Sequence, residues 1–277
     1  SSEGVRLVRG SHIVTRKLYD HDRCYFFQGT DGRICFAIPY EGAFTLIGTT
    51  DVDHDDPNEL PVCSPEEQVY LLDFASKFFK QKVSDEDVVW TYAGVRPLYN
   101  DGAASATAAT RDYVLRVDAA NNTPLLNVFG GKITTNRKLA ESAMAELTKY
   151  LPDLNGTTGN WTARVTLPGG DFPVDGFDEL CTSIAKRYEF LSDAHVKRLA
   201  RAYGTEVFDM LGTCKKSADM GTHFGADIYA VELDWSIKHE WVRSAEDFVW
   251  RRTRLGLKLT KAQISKIDSF IASRFKN

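Results

Sequence analysis

The sequence lacks the features that would assign this 277-residue chain to a membrane-spanning or nucleic-acid-binding class. No apolar run approaches the roughly 20 residues that a membrane span requires. Acidic residues outnumber basic ones, 38 to 34, and the net charge of −4 offers no general attraction for nucleic acid. Because 43% of the residues are apolar, we expect a globular protein with enough core for two compact units.

Cysteine is scarce, and its spacing excludes a disulfide framework and a zinc site. The five cysteines are odd in number, widely spaced and without a C-x-x-C pair, so we expect reduced thiols. The acidic run at residues 51–56 lacks the glycine and the distal glutamate of an EF-hand loop. We therefore predict a solvated acidic loop there and no metal site.

The sequence also lacks a G-x-G-x-x-G turn, but it contains a glycine pair, Gly130 and Gly131, that follows an apolar strand and precedes an amphipathic helix. Glycines let the backbone approach a planar ligand, and the free N–H groups of a helix start, together with Lys132, favour negative charge. Reduced flavin is planar and carries negative charge at one edge, so it is a candidate ligand for this pattern. The same pattern fits a tight strand-to-helix turn equally well.

The first half of the chain reads as an antiparallel meander with additional strands. Aromatic and β-branched runs predict strands at residues 24–28, 34–39 and 44–48, separated by turns at Asp31-Gly32 and Glu41-Gly42. Further strands are predicted at 88–92, 113–117 and 125–129, the last after a turn at Asn121-Asn122.

Helix signals are local and specific. Ser64, Pro65 and Glu67 form a capping box, and the inward positions that follow at helical spacing are Val69, Leu72, Ala75 and Phe79. Another helix is predicted from Thr134 to about Tyr150, and residues 151–170 read as a linker.

Beyond the linker the chain becomes helical. Ser192 begins a helix that Gly204 ends, and Ser244 with Asp247 begins another. Thr260 with Gln263 begins the last helix, whose inward residues are Ile264, Ile267, Phe270 and Ile271. Three tryptophans are predicted to lie in the core of this unit: Trp235, Trp241 and Trp250. No Arg/Lys-rich helix stands out, so packing or partner binding is favoured over DNA reading.

Four basic residues in the first half lie beside residues that restrict the backbone: His12, Arg96, Arg111 and Lys132. If clustered, they would hold an anion. Arg96 and Arg111 offer planar forks that match a phosphate or carboxylate, and His12 can take a hydroxyl proton near neutral pH. Taken singly, each is more often an ion-paired surface residue or a half-buried core residue.

Several blocks of sequence resemble the FAD-dependent glycerol-3-phosphate dehydrogenases, and they occur in that family's order. The blocks are residues 6–14, 47–51, 90–98, 110–113, 129–138, 167–170, 201–204, 239–243 and 247–253. The resemblance covers nearly the whole chain. It implies an α+β fold in which residues 1–168 hold an antiparallel substrate-binding sheet with helices plus a returning piece of the FAD-binding domain, and residues 169–277 form an all-helical C-terminal domain.

The resemblance also implies a reaction and a site. The reaction would oxidise sn-glycerol 3-phosphate to dihydroxyacetone phosphate, with hydride transfer to FAD and electrons passed to quinone. By resemblance, His12, Arg96 and Arg111 are the catalytic candidates. The flavin-contacting candidates are Gly130, Gly131, Lys132, Thr134 and Thr135. The family also suggests a cytoplasmic enzyme attached peripherally to the inner membrane; a homodimer is compatible with the sequence.

Two alternatives remain open at this stage. A glycerophosphate oxidase would use the same substrate site and pass electrons to oxygen. A non-catalytic module would bind a phosphorylated metabolite through Arg96 and Arg111 without turnover. Because the sequence lacks a dinucleotide-binding turn, we expect the chain alone to be inactive and to purify without colour.

Overall fold

The computed structural model describes residues 4–30, 32–104, 109–119, 123–151 and 161–275. The chain divides into two compact units, Ser1–Arg164 and Val165–Asn277. The predicted boundary fell four residues later, at 168/169, and the assignment of the first unit to substrate binding and to a piece of an FAD-binding domain stays a prediction. Each unit is described by itself below.

The first unit is organised around a six-stranded antiparallel sheet with β1 at its centre. Its strands are β1 (Val5–Arg16), β2 (Tyr25–Gln28), β3 (Ile34–Tyr40), β4 (Phe44–Gly48), β5 (Val52–Asp53) and β6 (Val88–Tyr99). On one edge β1 pairs with β4 and β5, on the other with β6. The predicted meander β2-β3-β4 is confirmed. At its second turn both Glu41 (φ 46°) and Gly42 (φ 79°) have positive φ, as a tight hairpin requires. Asp31, in the first turn, lies outside the described residues.

Helix α1 (Pro65–Ser76) packs on one face of this sheet. Its start is the predicted capping box, in which Ser64 and Glu67 bond each other's backbone N–H groups. The predicted inward position Val69 is wrong, because its side chain is 52% exposed. The core between helix and sheet contains Leu71 and Phe74 instead. The buried face of the helix is set by the sheet beneath it rather than by the helical period alone.

The first unit continues with a hairpin and a helix. The hairpin consists of β7 (Tyr113–Asp118) and β8 (Leu125–Gly130), and it is followed by α2 (Asn136–Leu147). These elements agree with the predicted strands and helix to within a few residues, while the turn at Asn121-Asn122 lies outside the described residues. None of the described residues in β7, β8 or α2 is buried.

The second unit is mainly helical, and together with the antiparallel sheet of the first unit it confirms the predicted α+β class, although it is not all-helical as predicted. Its helices are α3 (Phe177–Arg187), α4 (Asp193–Tyr203), α5 (Val207–Leu211), α6 (Ala230–His239) and α7 (Lys261–Ser273). A short antiparallel pair, β9 (His223–Gly225) and β10 (Ile228–Tyr229), lies between α5 and α6. The segment Asp247–Arg252 forms a π-helix. In the described part of the chain, no helix has both the length and the apolar character needed to span a bilayer.

Three local predictions for the second unit are confirmed. Ser192 caps α4 and Gly204 ends it, Ser244 and Asp247 bond at the start of the π-helical segment, and Thr260 with Gln263 caps α7. Ile267 and Ile271 are fully buried, and Ile264 and Phe270 pack against them.

Two other expectations for this region need correction. Trp241 lies at the surface, 78% exposed, whereas Trp235 and Trp250 pack against the cores. The linker predicted at residues 151–170 extends too far, because Gly169 belongs to the second unit and its carbonyl accepts the N–H of Thr205 at 3.0 Å.

Candidate functional site

His12 lies at the centre of the sheet on the face opposite α1. In β1 it pairs with Gly48 of β4 on one side and with Tyr92 of β6 on the other. The Tyr92 ring stacks on the imidazole with the ring centroids 4.9 Å apart and the planes 4° from parallel. A Cβ at position 48 would overlap the imidazole carbons, so glycine is what lets the ring lie over β4.

The surroundings of His12 keep its imidazole neutral at physiological pH. Burial, and then the positive charge of Arg96, lower the pKa of His12 to about 4. Its Nδ1 atom is buried and has no hydrogen-bond partner in the described part of the chain. A neutral imidazole can accept a proton, which an imidazolium cannot.

Arg96 lies on the same face as His12. Its guanidinium covers Gly10, where a Cβ would overlap it. It donates to Asp51 Oδ1 and Thr49 Oγ1, each at 3.0 Å, and to the Thr50 carbonyl at 3.4 Å. Gly10 and Gly48 therefore have the same role. Each lacks a Cβ, and the space is filled by the side chain of Arg96 or of His12.

Arg111 meets Arg96 at one carboxylate. Its Nη2 donates to Asp51 Oδ2 at 3.4 Å, and its Nη1 donates to the Ala109 carbonyl at 2.9 Å. Both arginine side chains are 31% exposed, so solvent and ligands reach them. Two guanidiniums with one carboxylate between them leave a net positive charge, which suits a phosphate dianion.

Asp51 was not predicted as a site residue, and the prediction of a solvated loop at residues 51–56 is wrong in part. Asp51 pairs with two arginines, Asp53 pairs with Arg6 at 2.7 Å, and His54 is buried. The reason is that β5 brings this segment against β1. In the described residues, no group of three potential ligands could hold a metal ion.

The row of residues that contains His12 continues to the edge of the sheet. Gly48 pairs with Phe36, and Phe36 pairs with Phe26. The two phenylalanines meet edge to face with centroids 5.2 Å apart, and both are exposed. This apolar surface beside His12 was not predicted, although the period-2 alternation of the strands places these residues on one face.

The five predicted flavin-contacting residues lie where β8 ends. Gly130 (φ 70°) and Gly131 (φ 95°) have the positive φ that favours glycine. A Cβ on Gly130 would come within 2.9 Å of the Tyr99 nitrogen, so the turn is pressed against the end of β6, the strand that carries Arg96.

Lys132 and Thr134 are exposed there, and Thr135 Oγ1 donates to the Lys132 carbonyl at 3.0 Å. Exposed cationic and hydroxyl groups after a glycine turn fit the negative edge of a flavin. The residues present therefore fit part of an FAD site. The predicted catalytic residues also lie together, because Arg96 and Arg111 meet at Asp51 and Arg96 lies close enough to His12 to lower its pKa.

Comparison with protein families identifies two consecutive matches. The family described as FAD dependent oxidoreductase matches residues 2–137, and the C-terminal domain of alpha-glycerophosphate oxidase matches residues 160–272. The matched stretches follow one another along the chain and leave few residues outside them.

Individual relatives agree with these matches. A glycerol-3-phosphate dehydrogenase of Pseudomonas aeruginosa is 43% identical over 99% of this chain and 53% of its own length. A D-erythritol 1-phosphate dehydrogenase of Brucella abortus is 38% identical over 95% of this chain and 52% of its own length. The chain therefore spans about half the length of these curated relatives.

A solved structure supports the fold. The glycerol-3-phosphate dehydrogenase from Bacillus halodurans, complexed with FAD, superposes on the whole chain with a TM-score of 0.72 and 24% identity, covering 58% of that protein. From the two family matches and the relatives, the chain belongs to the FAD-dependent oxidoreductases, in the group that includes the glycerol-3-phosphate dehydrogenases.

Proposed function

We propose that this chain supplies the substrate-binding sheet and part of the FAD site of a flavoenzyme that oxidises sn-glycerol 3-phosphate to dihydroxyacetone phosphate. The observation that carries the proposal is the convergence of Arg96 and Arg111 on Asp51, beside a neutral His12 on the same face of the sheet. Relatives that are named for this activity also support the proposal.

The proposed reaction removes a hydride from C2 and a proton from the C2 hydroxyl, which leaves a carbonyl. FAD, when bound, supplies the hydride acceptor. We assign His12 as the acceptor of the hydroxyl proton because its imidazole is neutral at pH 7, although a pKa of about 4 makes it a weaker base than an ordinary histidine. Arg96, close enough to lower the His12 pKa, stabilises negative charge that develops on the same oxygen.

Arg96 and Arg111 together hold the phosphate in this proposal. Asp51 keeps the two guanidiniums side by side before substrate arrives, so their mutual repulsion is already offset. Gly130, Gly131, Lys132, Thr134 and Thr135 would hold one edge of FAD, with Lys132 favouring the reduced and more negative form.

A second candidate substrate has a longer carbon chain. The relative from Brucella abortus bears the name of a four-carbon sugar alcohol phosphate, so the phosphate end of the substrate is better supported than its length. Comparing kcat/KM for glycerol 3-phosphate and D-erythritol 1-phosphate decides between them.

Partners and location also belong to the proposal. Electrons would pass to a quinone, and the enzyme would attach peripherally to the cytoplasmic face of the inner membrane. Hydrogen peroxide formed in proportion to substrate would instead identify the oxidase. Dihydroxyacetone phosphate bound without FAD, with no turnover by the full-length protein, would identify the binding module.

Arg111→Ala in the FAD-loaded full-length enzyme tests the proposal. We expect kcat/KM for glycerol 3-phosphate to fall by at least about 100-fold, because a charge-assisted contact to the phosphate is lost. Arg116→Ala is the matched control, since Arg116 lies exposed in β7, the strand that follows Arg111, and donates to the Leu115 carbonyl. A rate for Arg111→Ala within a few-fold of wild type in a dye-reduction assay would contradict the role of Arg111.

A further inference from the structure

Glu67 is a buried acid at the start of α1, and its carboxylate does more than cap that helix. Its Oε2 accepts the Ser64 N–H at 3.1 Å, which completes the capping box. The residue is only 6% exposed, although most helix-capping glutamates lie at the surface. Its burial follows from the contacts that it makes with the sheet.

The same carboxylate accepts three side-chain donors from the sheet and the segment after β4. Oε1 accepts the hydroxyls of Ser11 at 2.9 Å and of Thr50 at 2.6 Å. Oε2 accepts from Arg9 Nε at 3.1 Å, and Arg9 Nη2 lies 3.0 Å away. Burial alone would raise the pKa of Glu67, but the bonds from Thr50, Ser64 and Ser11 and the charge of Arg9 lower it overall.

Two of these partners adjoin the site on the other face of the sheet. Ser11 lies between Gly10, which Arg96 covers, and His12. Thr50 precedes Asp51, and its carbonyl accepts from Arg96 at 3.4 Å. The Ser11 N–H also donates to Thr50 Oγ1 at 2.8 Å.

The chain of contacts therefore runs through the sheet. Glu67 fixes the Thr50 hydroxyl, Thr50 fixes the backbone that carries Asp51, and Asp51 spaces the two guanidiniums. Segment 49–51 lies between β4 and β5, which both pair with β1, and the bonds of the Thr50 hydroxyl to Glu67 and to the Ser11 N–H hold the segment between these two strands.

We propose that Glu67 is a positioning residue for the phosphate site: through Ser11 and Thr50 it sets the place of Asp51 and so the spacing of Arg96 and Arg111. The inference rests on the proposed function. A residue that only capped α1 would not need the Thr50 hydroxyl, which lies outside the helix and 17 residues earlier in the chain.

The test compares Thr50→Val, which removes the hydroxyl at nearly constant size, with Thr50→Ser, which keeps it. In the FAD-loaded full-length enzyme we expect Thr50→Val to raise KM for glycerol 3-phosphate at least tenfold while kcat falls less than threefold. Inhibition by inorganic phosphate should weaken by a similar factor. Thr50→Ser should stay within twofold of wild type for both quantities.

Two further variants keep the result decisive. Glu66→Ala removes the neighbouring, exposed glutamate of the same helix turn and should change neither KM nor phosphate inhibition. Ser11→Ala removes the second hydroxyl and should raise KM at least threefold, and it replaces Thr50→Val as the test if that variant does not fold.

The outcomes separate this inference from the proposed function. A wild-type enzyme that does not oxidise glycerol 3-phosphate overturns both. An active wild type with KM and phosphate inhibition unchanged in Thr50→Val, or in Ser11→Ala when that variant replaces it, overturns the positioning role alone. So does a loss in kcat with no change in KM, because it would show that Thr50 does not act through the phosphate site.

Discussion

In the helical unit two clusters of buried side chains lie between the helices, whereas the β7–β8 hairpin and α2 bury none of their described side chains. Both regions are built from elements with apolar residues on one face. In the hairpin and α2 the large apolar side chains that remain exposed include Leu125, Val128 and Met144. The period of a sequence locates an apolar face, but it does not tell whether the same chain covers that face.

The difference has a physical reading within the proposed function. The helical unit is closed by its own layers, and its α4 and α6 are joined by an ion pair at 2.6 Å between the half-buried Arg198 and the buried Glu232. Within the proposed function, we expect the hairpin and α2 to form part of a layered FAD-binding domain. We expect the dinucleotide-binding part of the full-length enzyme to supply the layer that covers them.

Amide hydrogen exchange should show the largest difference between the two regions. We expect amides in α4, α6 and α7 to exchange at least about 1,000-fold more slowly than those in β7, β8 and α2, because opening a closed core costs more free energy. Mass spectrometry of peptides from each segment measures the ratio. Equal protection of the two regions would contradict the comparison.

A pair of substitutions should give the next largest difference. Ile267→Ala removes a fully buried side chain and should lower the unfolding free energy of the helical unit by about 3 kcal/mol. Leu125→Ala, the matched change in β8, should leave stability nearly unchanged, since Leu125 is already exposed. Denaturant unfolding followed by tryptophan fluorescence and by circular dichroism gives both values. Similar losses for the two variants would mean that β8 has a buried face.

A fall in pH should lower the stability of the helical unit more than that of the hairpin and α2, and this difference is smaller than the two above. Burial, followed by the charge of Arg198, lowers the pKa of His195 in α4 to about 4. Because the unfolded chain binds this proton near pH 6.5 and the folded chain does not, stability is full above pH 6.5 and falls as pH drops toward 4.

The expected loss for the helical unit is about 2 kcal/mol between pH 7 and pH 5. Residues 113–151 contain no histidine, so their stability should not share this loss. His195→Gln should flatten the pH dependence of the helical unit in denaturant titrations at the two pH values. An unchanged slope in that variant would show that another group titrates.

Local signals in the sequence were sufficient where the structure is set by neighbours in the chain. The caps at Ser64, Ser192 and Thr260 each involve a bond over three residues, and all three were predicted. Helices α3 and α6 follow the N-cap residues Gly176 and Tyr229, which make no side-chain cap, and these two helices were not predicted.

The arrangement of the site depended on contacts that no local pattern encodes. Arg96 and Arg111 were predicted together as clamps for an anion, but Asp51, where they meet across separations of 45 and 60 residues, was not predicted. The strand β1, which carries His12, was not predicted, and β6 was predicted only at its start. Pairing of β1 with β6 places Gly10 under Arg96, and pairing of β1 with β4 places Gly48 under His12; registers of this kind are tertiary information.

The carboxylate of Asp51 has a consequence for turnover. With it in place, the pair of guanidiniums presents one unit of excess charge rather than two. In the proposed reaction an uncharged sugar alcohol would gain little from such a site, whereas a phosphate ester would gain charge-assisted hydrogen bonds. Since substrate and product of the proposed reaction carry the same phosphate, a site that held it with both charges uncompensated would retain the product. Asp51 would thus limit affinity in favour of product release.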